Sequence, residues 1–480
     1  MLKNIFCIFG LVSAFSFPLL SQHSLHPTVI GTKDSIYSKI LVENRPFYIH
    51  LPESYQTGTR DYPIIFVLDG ESNFHHTTAT VDFLSNCLHI PEMIVVGIPN
   101  TGSRTRDLTP PTSEIKDWPR AGGADNMLAF IRDELIPHID NSFRTHPYKV
   151  LIGHSFGGLF ALHTLIHHPG TFNAYIAISP SLWWDEQELV LAQSKGFFQK
   201  NPDVSGHLYM TMGNEGGKML GGALKFTAML EEQGTQNFLW HFEQMPEESH
   251  SSVPLLSTYK GLEFIFEKWC LIKQEQELIH GGLDGLNAYE SNLSTYYGFV
   301  HQWEERTLLH YAKVLSESGK AGTANSILKK SVALYPTSDK SWFSLGKNQQ
   351  DMGNAAEAQE SLKTALTINP KNLQAVGTLS QLGADISAYL PEVNLSSKDL
   401  ETYTGKFKIN EEVSIIVSSD GYQLWAESVT LEKEALFPLG SHTFFVVSKN
   451  STINFKMGNR QAERLLVETP DGTFNGERVY

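Results

Sequence analysis

Cysteine is nearly absent from this chain, with three in 480 residues. That excludes a disulfide-stapled fold. Cys7 lies in an apolar N-terminal stretch, which leaves Cys87 and Cys270. Two cysteines do not resemble a zinc site. They either pair once in an oxidising compartment or stay as buried thiols. Positive charge is also scarce, with 37 Lys and Arg against 52 Asp and Glu, a net charge of −15. No basic field is available to draw in nucleic acid or an anionic membrane, so neither is an expected partner. Beyond the N-terminus, no run is long and apolar enough to span a bilayer. What remains is ordinary globular material, 41% hydrophobic and 19% charged, with ample core for several domains.

Residues 1–22 stand apart. Lys3 gives a basic start, Ile5 to Leu20 is almost wholly apolar, and Ser13, Ala14, Ser16 and Ser21 offer small residues for cleavage. The run is short for a membrane span and Pro18 interrupts it. It reads as a secretory signal peptide, which implies a periplasmic or secreted protein.

Residues 23–280 alternate strand and helix patterns. Tyr62–Leu68 and Met93–Ile98 are short continuous apolar runs, the mark of strands buried on both faces. Helical periodicity follows over Gly123–Ile139, and further strands are expected at Val150–Ile152, Phe172–Ile178, Leu208–Met212 and Phe238–Phe242. The fold class is α/β, a mostly parallel sheet covered by helices. Over 285–385 a helical pattern of period 34 takes over. Gly319 aligns with Gly353, Ala324 with Ala358, Leu328 with Leu362, and Pro336 with Pro370. This spacing resembles the tetratricopeptide repeat. Two such repeats need a neighbour to bury their open faces, either the helical segment at 285–304 or the α/β domain. Residues 396–480 carry short alternating strands separated by turn signals such as Asp420-Gly421 and Asp471-Gly472, a small antiparallel β domain. Leu400-Glu-Thr-Tyr-Thr-Gly405-Lys-Phe407, Phe437-Pro-Leu439 and Phe444-Phe445 in it resemble small β-barrel appendages.

The chemistry concentrates in Lys149-Val-Leu-Ile-Gly-His-Ser-Phe-Gly157. An aliphatic run enters a Gly-x-Ser-x-Gly turn and a helical pattern leaves it, the context of a nucleophile elbow. Gly153 and Gly157 remove side chains that would collide in so sharp a turn. Ser155 would present its hydroxyl above the sheet, at a helix N-terminus that favours developing negative charge. A serine nucleophile needs a base, and an acid to orient the base. Nineteen histidines compete for the first role. His250 follows the last strand in a loop and is the one placed to reach Ser155. His154 should point away from the serine, and His167 and His168 read as structural. For the acid, Glu215 is the first carboxylate past the strand Leu208–Met212, with Asp185 its rival after the Ser179–Trp184 segment. Glu247 and Glu248 read as solvated. A Ser–His dyad without an acid is the remaining alternative. Backbone N–H groups of Phe156 and of the Asp69-Gly70-Glu71 loop are the candidates for an oxyanion hole; Gly70 would let the backbone come close to substrate.

Several separated motifs agree in order: Leu68-Asp-Gly70, Arg104-Thr-Arg-Asp-Leu-Thr-Pro110, Ala121-Gly-Gly-Ala-Asp125, Glu134-Leu-Ile-Pro-His-Ile-Asp140, Gly153-His-Ser-Phe-Gly-Gly-Leu159 and Ser181-Leu-Trp-Trp184. Over residues 28–275 they resemble the putative-esterase family of α/β hydrolases, on the branch of the siderophore esterases. The resemblance implies carboxylic ester hydrolysis through an acyl-serine, with no metal and no cofactor. It implies Ser155 as nucleophile, His250 as base, Gly70 or Glu71 with Phe156 as oxyanion donors, and Arg104, Arg106 and Trp184 near the substrate cleft. The helical repeat and β domain depart from the pattern of siderophore esterases, so siderophore esters and other aryl or short-acyl esters stay equally open. Two readings of another kind remain. One is an acyltransferase using the same acyl-enzyme. The other is a binding module, with the repeats holding a peptide or protein partner and the hydrolase domain inactive.

Overall fold

The computed structural model describes residues 28–479 apart from 57, 115, 235, 271, 272, 274, 299–301, 430, 441 and 471; the leader expected over residues 1–22 lies outside the described residues. Eight strands form the first sheet: β1 (Thr32–Ser38), β2 (Glu43–His50), β3 (Tyr62–Leu68), β4 (Ile94–Ile98), β5 (Thr145–His154), β6 (Ala174–Ile178), β7 (Gly206–Met212) and β8 (Phe238–Gln244). Their order across the sheet is β1-β2-β4-β3-β5-β6-β7-β8. The pairs from β4 to β8 are parallel, while β1, β2 and β4 pair antiparallel. Every residue of β3, β4 and β6 is buried. Helices therefore cover both faces of the central strands, as their unbroken apolar runs required.

Phe160, Leu162 and Leu165 of the helix Phe156–His167 pack on one face with Phe130, Leu135 and Phe226. On the other, Phe74, Val81 and Leu84 of the helix Gly70–Asn86 share a core with Val253, Leu262 and Ile265 of the helix Val253–Ile265. The chain runs from β3 outward to β4, then crosses back over β3 to β5. The carboxyl ends of β3 and β5 thus flank a point where strand order reverses, the place where ligands bind in open α/β sheets. One element differs from its sequence pattern. The expected helix over Gly123–Ile139 runs on to Ser142, and its middle turn, Ile131–Leu135, widens to i→i+5 bonding just before Pro137. A proline there withholds one backbone N–H from the regular ladder, and a single wide turn absorbs the deficit.

Paired helices follow the α/β region: Glu305–Glu317 with Ala321–Leu334, then Asp339–Asp351 with Ala355–Ile368, then Leu373–Gln381. Gly319 and Gly353, one repeat apart, both adopt positive φ (78° and 81°) just past a helix end, where only glycine turns the chain without strain. Gly346 lets the third helix of this series approach Leu362 so closely that a β-carbon would sit 2.8 Å from Leu362 Cγ. Both candidate neighbours cover the repeats. Leu278 and Leu286 of the helix Glu275–Tyr297 share a core with Trp303, Leu308 and Ile327, and Leu88 joins from the α/β region.

A buried ionic cluster lies at the same junction. Arg60 pairs with Glu92, and its other guanidinium nitrogen is 3.4 Å from Glu304. Arg306 reaches Glu92 as well and lies 3.7 Å from Glu304. The Glu92 backbone N–H donates to Glu304 Oε1 at 2.7 Å. Burial pushes the Glu304 carboxyl up, and Arg60 pulls it back.

The C-terminal strands close into a barrel, as their resemblance to small β-barrel appendages implied. They are β9 (Gly405–Lys408), β10 (Ser414–Ser419), β11 (Leu424–Ser428), β12 (Leu431–Gly440), β13 (Thr443–Val446), β14 (Ser451–Met457), β15 (Ala462–Thr469) and β16 (Gly472–Val479). Closure comes from β16 pairing with β9, Arg478 opposite Phe407. A closed barrel leaves no unpaired strand edge. Phe445 and Val447 pack it against the repeat helix Leu373–Gln381.

Candidate active site

Ser155 sits between β5 and the helix Phe156–His167 with φ 61° and ψ −115°. That conformation is costly for a residue with a side chain and recurs where function demands it. It lifts the hydroxyl off the end of β5 while the first N–H groups of the helix, beginning with Phe156, point into the same space without intrahelical partners. The turn is pinned on both sides. The Ser155 N–H donates to Ile178 O at 2.9 Å, and its carbonyl accepts from Ser181 N at 3.1 Å. A β-carbon at Gly153 would lie 2.1 Å from the Gly157 carbonyl oxygen. The second tight position is Gly158, where it would lie 3.0 Å from Ile178 O; at Gly157 the nearest atom is 3.4 Å away, an ordinary contact. The crowding expected at Gly157 therefore falls one residue later.

The acid and base loops meet beyond β7 and β8. Glu215 Oε1 bonds to His250 Nδ1. Backbone bonds from Asn214 N to Glu248 O (2.8 Å) and from Met245 N to Met212 O (2.7 Å) lace the two loops together. Gly213 makes room for the carboxylate, since a β-carbon there would lie 2.6 Å from Glu215 Oε2. Burial raises the Glu215 carboxyl, but the bonds from His250 and Ser179 outweigh it and hold it below the ordinary carboxylate value. Glu248 is occupied by Ser252 Oγ at 2.6 Å. Asp185 is occupied by Thr112 Oγ1 (2.9 Å) and by the backbone and hydroxyl of Ser113 (2.8 and 2.7 Å).

The His154 ring packs on that of His250, with centroids 4.5 Å apart. Burial, reinforced by the neighbouring His250, pushes its pKa down to about 4. A neutral ring at this contact avoids a second positive charge beside the base. Among the described residues, the hydrogen-bonding contact of Ser155 Oγ is Ser181 Oγ at 3.4 Å, not His250.

The end of β3 approaches from the other side. Asp69 has φ 53° and precedes the helix Gly70–Asn86, whose first N–H groups belong to Gly70 and Glu71. Its carboxylate is the atom nearest a β-carbon built at Gly157, so this turn and the serine turn touch. Gly70 is required for a reason other than substrate approach: its α-carbon presses on β4, and a β-carbon would lie 2.8 Å from Ile98 N. Glu71 is anchored by Asn100, whose side-chain amide donates at 2.8 Å. Arg104 forms a two-pronged pair with Asp69 at 2.6 and 2.9 Å and donates to His154 O at 2.9 Å. It thereby clamps the two turns. Arg106 is turned toward Glu43 (2.7 Å) and Asp107 (2.6 Å). Trp184 is buried and donates to Pro110 O at 3.1 Å.

Three tryptophans surround the Phe156 ring: Trp118, Trp183 and Trp184, with centroids 5.9, 6.0 and 5.4 Å away. Trp118 and Trp183, both half-buried, give the serine turn an aromatic wall. Sequence reasoning missed Trp118, because a lone tryptophan in the aperiodic 110–123 segment carries no signal of its partners. Ser181 and Ser179 were missed as well, although they flank Pro180 in a motif already singled out. Among the described residues, no group of His, Cys, Asp and Glu could hold a metal ion. No helix there is long and apolar enough to cross a membrane. Cys87 and Cys270 are both free thiols.

Residues 38–253 match the model of the putative-esterase family, and residues 339–372 match a tetratricopeptide repeat. The siderophore triacetylfusarinine C esterase of Aspergillus fumigatus is 31% identical over 254 residues, which is 45% of this chain and 86% of that protein. The ferri-bacillibactin esterase BesA of Bacillus subtilis is 32% identical over 178 residues, covering 33% of this chain and 61% of that protein. Among solved structures, an IroE-like serine hydrolase from Shewanella oneidensis is 27% identical with a TM-score of 0.56, over 62% of this chain and 97% of that one.

Proposed function

Because the chain belongs to the putative-esterase family, and so to the hydrolases that act on esters, we propose that it cleaves carboxylic esters through an acyl-serine at Ser155. The observation that carries this reading is the Glu215–His250 pair beside the strained Ser155 turn. With Nδ1–H held by a carboxylate, the His250 ring carries its lone pair on Nε2, the tautomer a general base needs. The Ser155 hydroxyl swings from Ser181 to Nε2, a tightening commonly left to the substrate complex. Its oxygen then adds to the ester carbonyl while Nε2 takes the proton. The carbonyl electrons move onto oxygen, facing the N–H groups of Phe156 and of Gly70 or Glu71. Collapse of that adduct breaks the bond to the alkoxy group, which leaves with the proton from His250. Water repeats the sequence on the acyl-serine, and the acid departs. Arg104 acts by joining the two N–H-bearing turns. Arg106 and Trp184 act as supports, each already committed to protein partners.

The aromatic wall of Trp118, Trp183 and Phe156 supports an aryl or short-acyl ester over a charged one. Siderophore esters are the first to try, because relatives bear siderophore esterase names. Export through residues 1–22 completes the reading and places the enzyme in the periplasm or outside the cell. A peptide or protein partner for the helical repeats is carried with it. A fluorophosphonate probe should label Ser155, with labelling lost in Ser155→Ala and greatly slowed in His250→Ala. Equal labelling of the alanine variant would end the proposal.

A further inference from the structure

The β-barrel is filled at one end only. Leu424, Phe444 and Phe455 lie at the same end by strand register, closed over by Leu400 and Tyr403. Tyr403 meets the Phe444 and Phe455 rings with centroids 5.0 and 5.1 Å away. At the opposite end a cavity of about 510 Å³ remains. Its floor is Val446 and Ile453, and Val413, Ile415 and Val467 form its sides. Phe474 stands at the mouth, 46% exposed. An eight-stranded barrel is just wide enough to be filled by side chains or to hold one small ligand. This one does the first in one half and leaves room for the second in the other. The volume falls within the ~300–1,000 Å³ of small-molecule sites.

Among the described residues lining this cavity, the one charged side chain is Lys449. It is exposed on the turn Val447–Lys449, and no ion pair to it is formed among the described residues. The turn is braced from behind. Val447 packs on the last repeat helix, and Ser448 O accepts from Gln381 at 3.4 Å. The mouth is therefore set before any ligand arrives. In a chain of net charge −15, a lone cation over an apolar shaft selects against cationic and di-anionic guests alike.

We propose that the barrel binds a small amphipathic monocarboxylate, with its apolar body in the shaft and its carboxylate at Lys449. This site is separate from the Ser155 centre and does not depend on its chemistry. The test uses the full chain and 1-anilinonaphthalene-8-sulfonate as a fluorescent occupant, displaced by dodecanoate, dodecanol or dodecyltrimethylammonium. One saturable site per chain is expected, with dodecanoate preferred over the cationic analogue. Lys449→Glu should weaken dodecanoate by about threefold to fivefold, the size of an exposed ion pair, and leave dodecanol unchanged. Val413→Trp at the mouth and Ile453→Trp on the floor should each reduce binding by about tenfold or more, with ester hydrolysis and probe labelling unchanged. Val413→Trp guards against loss of the fold in the floor variant. Absence of saturable binding, binding that survives both tryptophan variants, or equal displacement by anion and cation would overturn the proposal.

Discussion

Replacing Glu215 by glutamine tests the catalytic reading most directly, because it changes charge while keeping shape. In the proposed transition state the His250 ring becomes a cation, and Glu215 is the carboxylate bonded to it. The side chains of the pair are 37% and 15% exposed, so an effective dielectric near that of a protein surface applies. Two unit charges about 4 Å apart then attract by about 4 kcal/mol. Glutamine forfeits that term, and its amide N–H₂ competes to donate to Nδ1, which would move the ring proton to Nε2. A loss of about 4 kcal/mol from the transition state slows turnover about a thousandfold. The ground state loses little, because Glu215 faces the base and not the acyl group. In Glu215→Gln, kcat on an activated aryl ester should therefore fall about 10³-fold with KM within about threefold. Asp185→Asn is the control. Its carboxylate serves Thr112 and Ser113, and kcat should stay within about tenfold of the parent. A Glu215→Gln enzyme within tenfold of the parent, or a larger loss in Asp185→Asn, would falsify the assignment.

Gly153→Ala should cost folded protein, since its methyl would lie 2.1 Å from a backbone oxygen, whereas Gly157→Ala, with 3.4 Å of clearance, should accumulate normally; soluble yield and circular dichroism separate them. Arg60→Met leaves Glu92 and Glu304, each 3% exposed, to share Arg306, and urea unfolding should show a loss of about 3–5 kcal/mol. Removing a carboxylate as well, in Arg60→Met with Glu92→Gln, should recover part of that loss. Glu43 is held at about 2, chiefly by Arg106, from an ordinary 4.5. A depressed folded pKa gives stability that is present above the unfolded value and is lost as pH falls. Acid unfolding should therefore lose about 1 kcal/mol between pH 4.5 and 2 through this group, a loss that disappears in Glu43→Gln.

Legibility in the sequence followed the range of each interaction. β3 and β4 were readable because burial on both faces makes every residue apolar. The 34-residue period was readable because the same two-helix contact recurs, with Gly319 and Gly353 turning the chain at equivalent points. Alternation alone did not give barrel closure, since pairing of β16 with β9 joins segments some seventy residues apart whose alternation is the same in an open sheet; the resemblance of Leu400–Phe407, Phe437–Leu439 and Phe444-Phe445 to small β-barrels did point to it. In the site, Ser155, His250 and Glu215 stood out because each follows a strand end. The structural contacts of Arg104 and Gly70 were not legible for one reason: each is made to a long-range partner, Asp69 for one and the β4 backbone for the other. The contact of the His154 ring with His250 was not legible, because it follows from packing against a loop that lies almost a hundred residues on.

The φ of 61° at Ser155 also has an evolutionary side. A side chain held there costs about 1–3 kcal/mol, a large part of the margin by which a domain stays folded. Glycine would relieve it at once. Selection for stability alone would thus remove the hydroxyl first; under the proposed mechanism its retention in so unfavourable a conformation follows from the demand for a nucleophile. A lineage released from that demand should show the loss at this position before the surrounding turn decays.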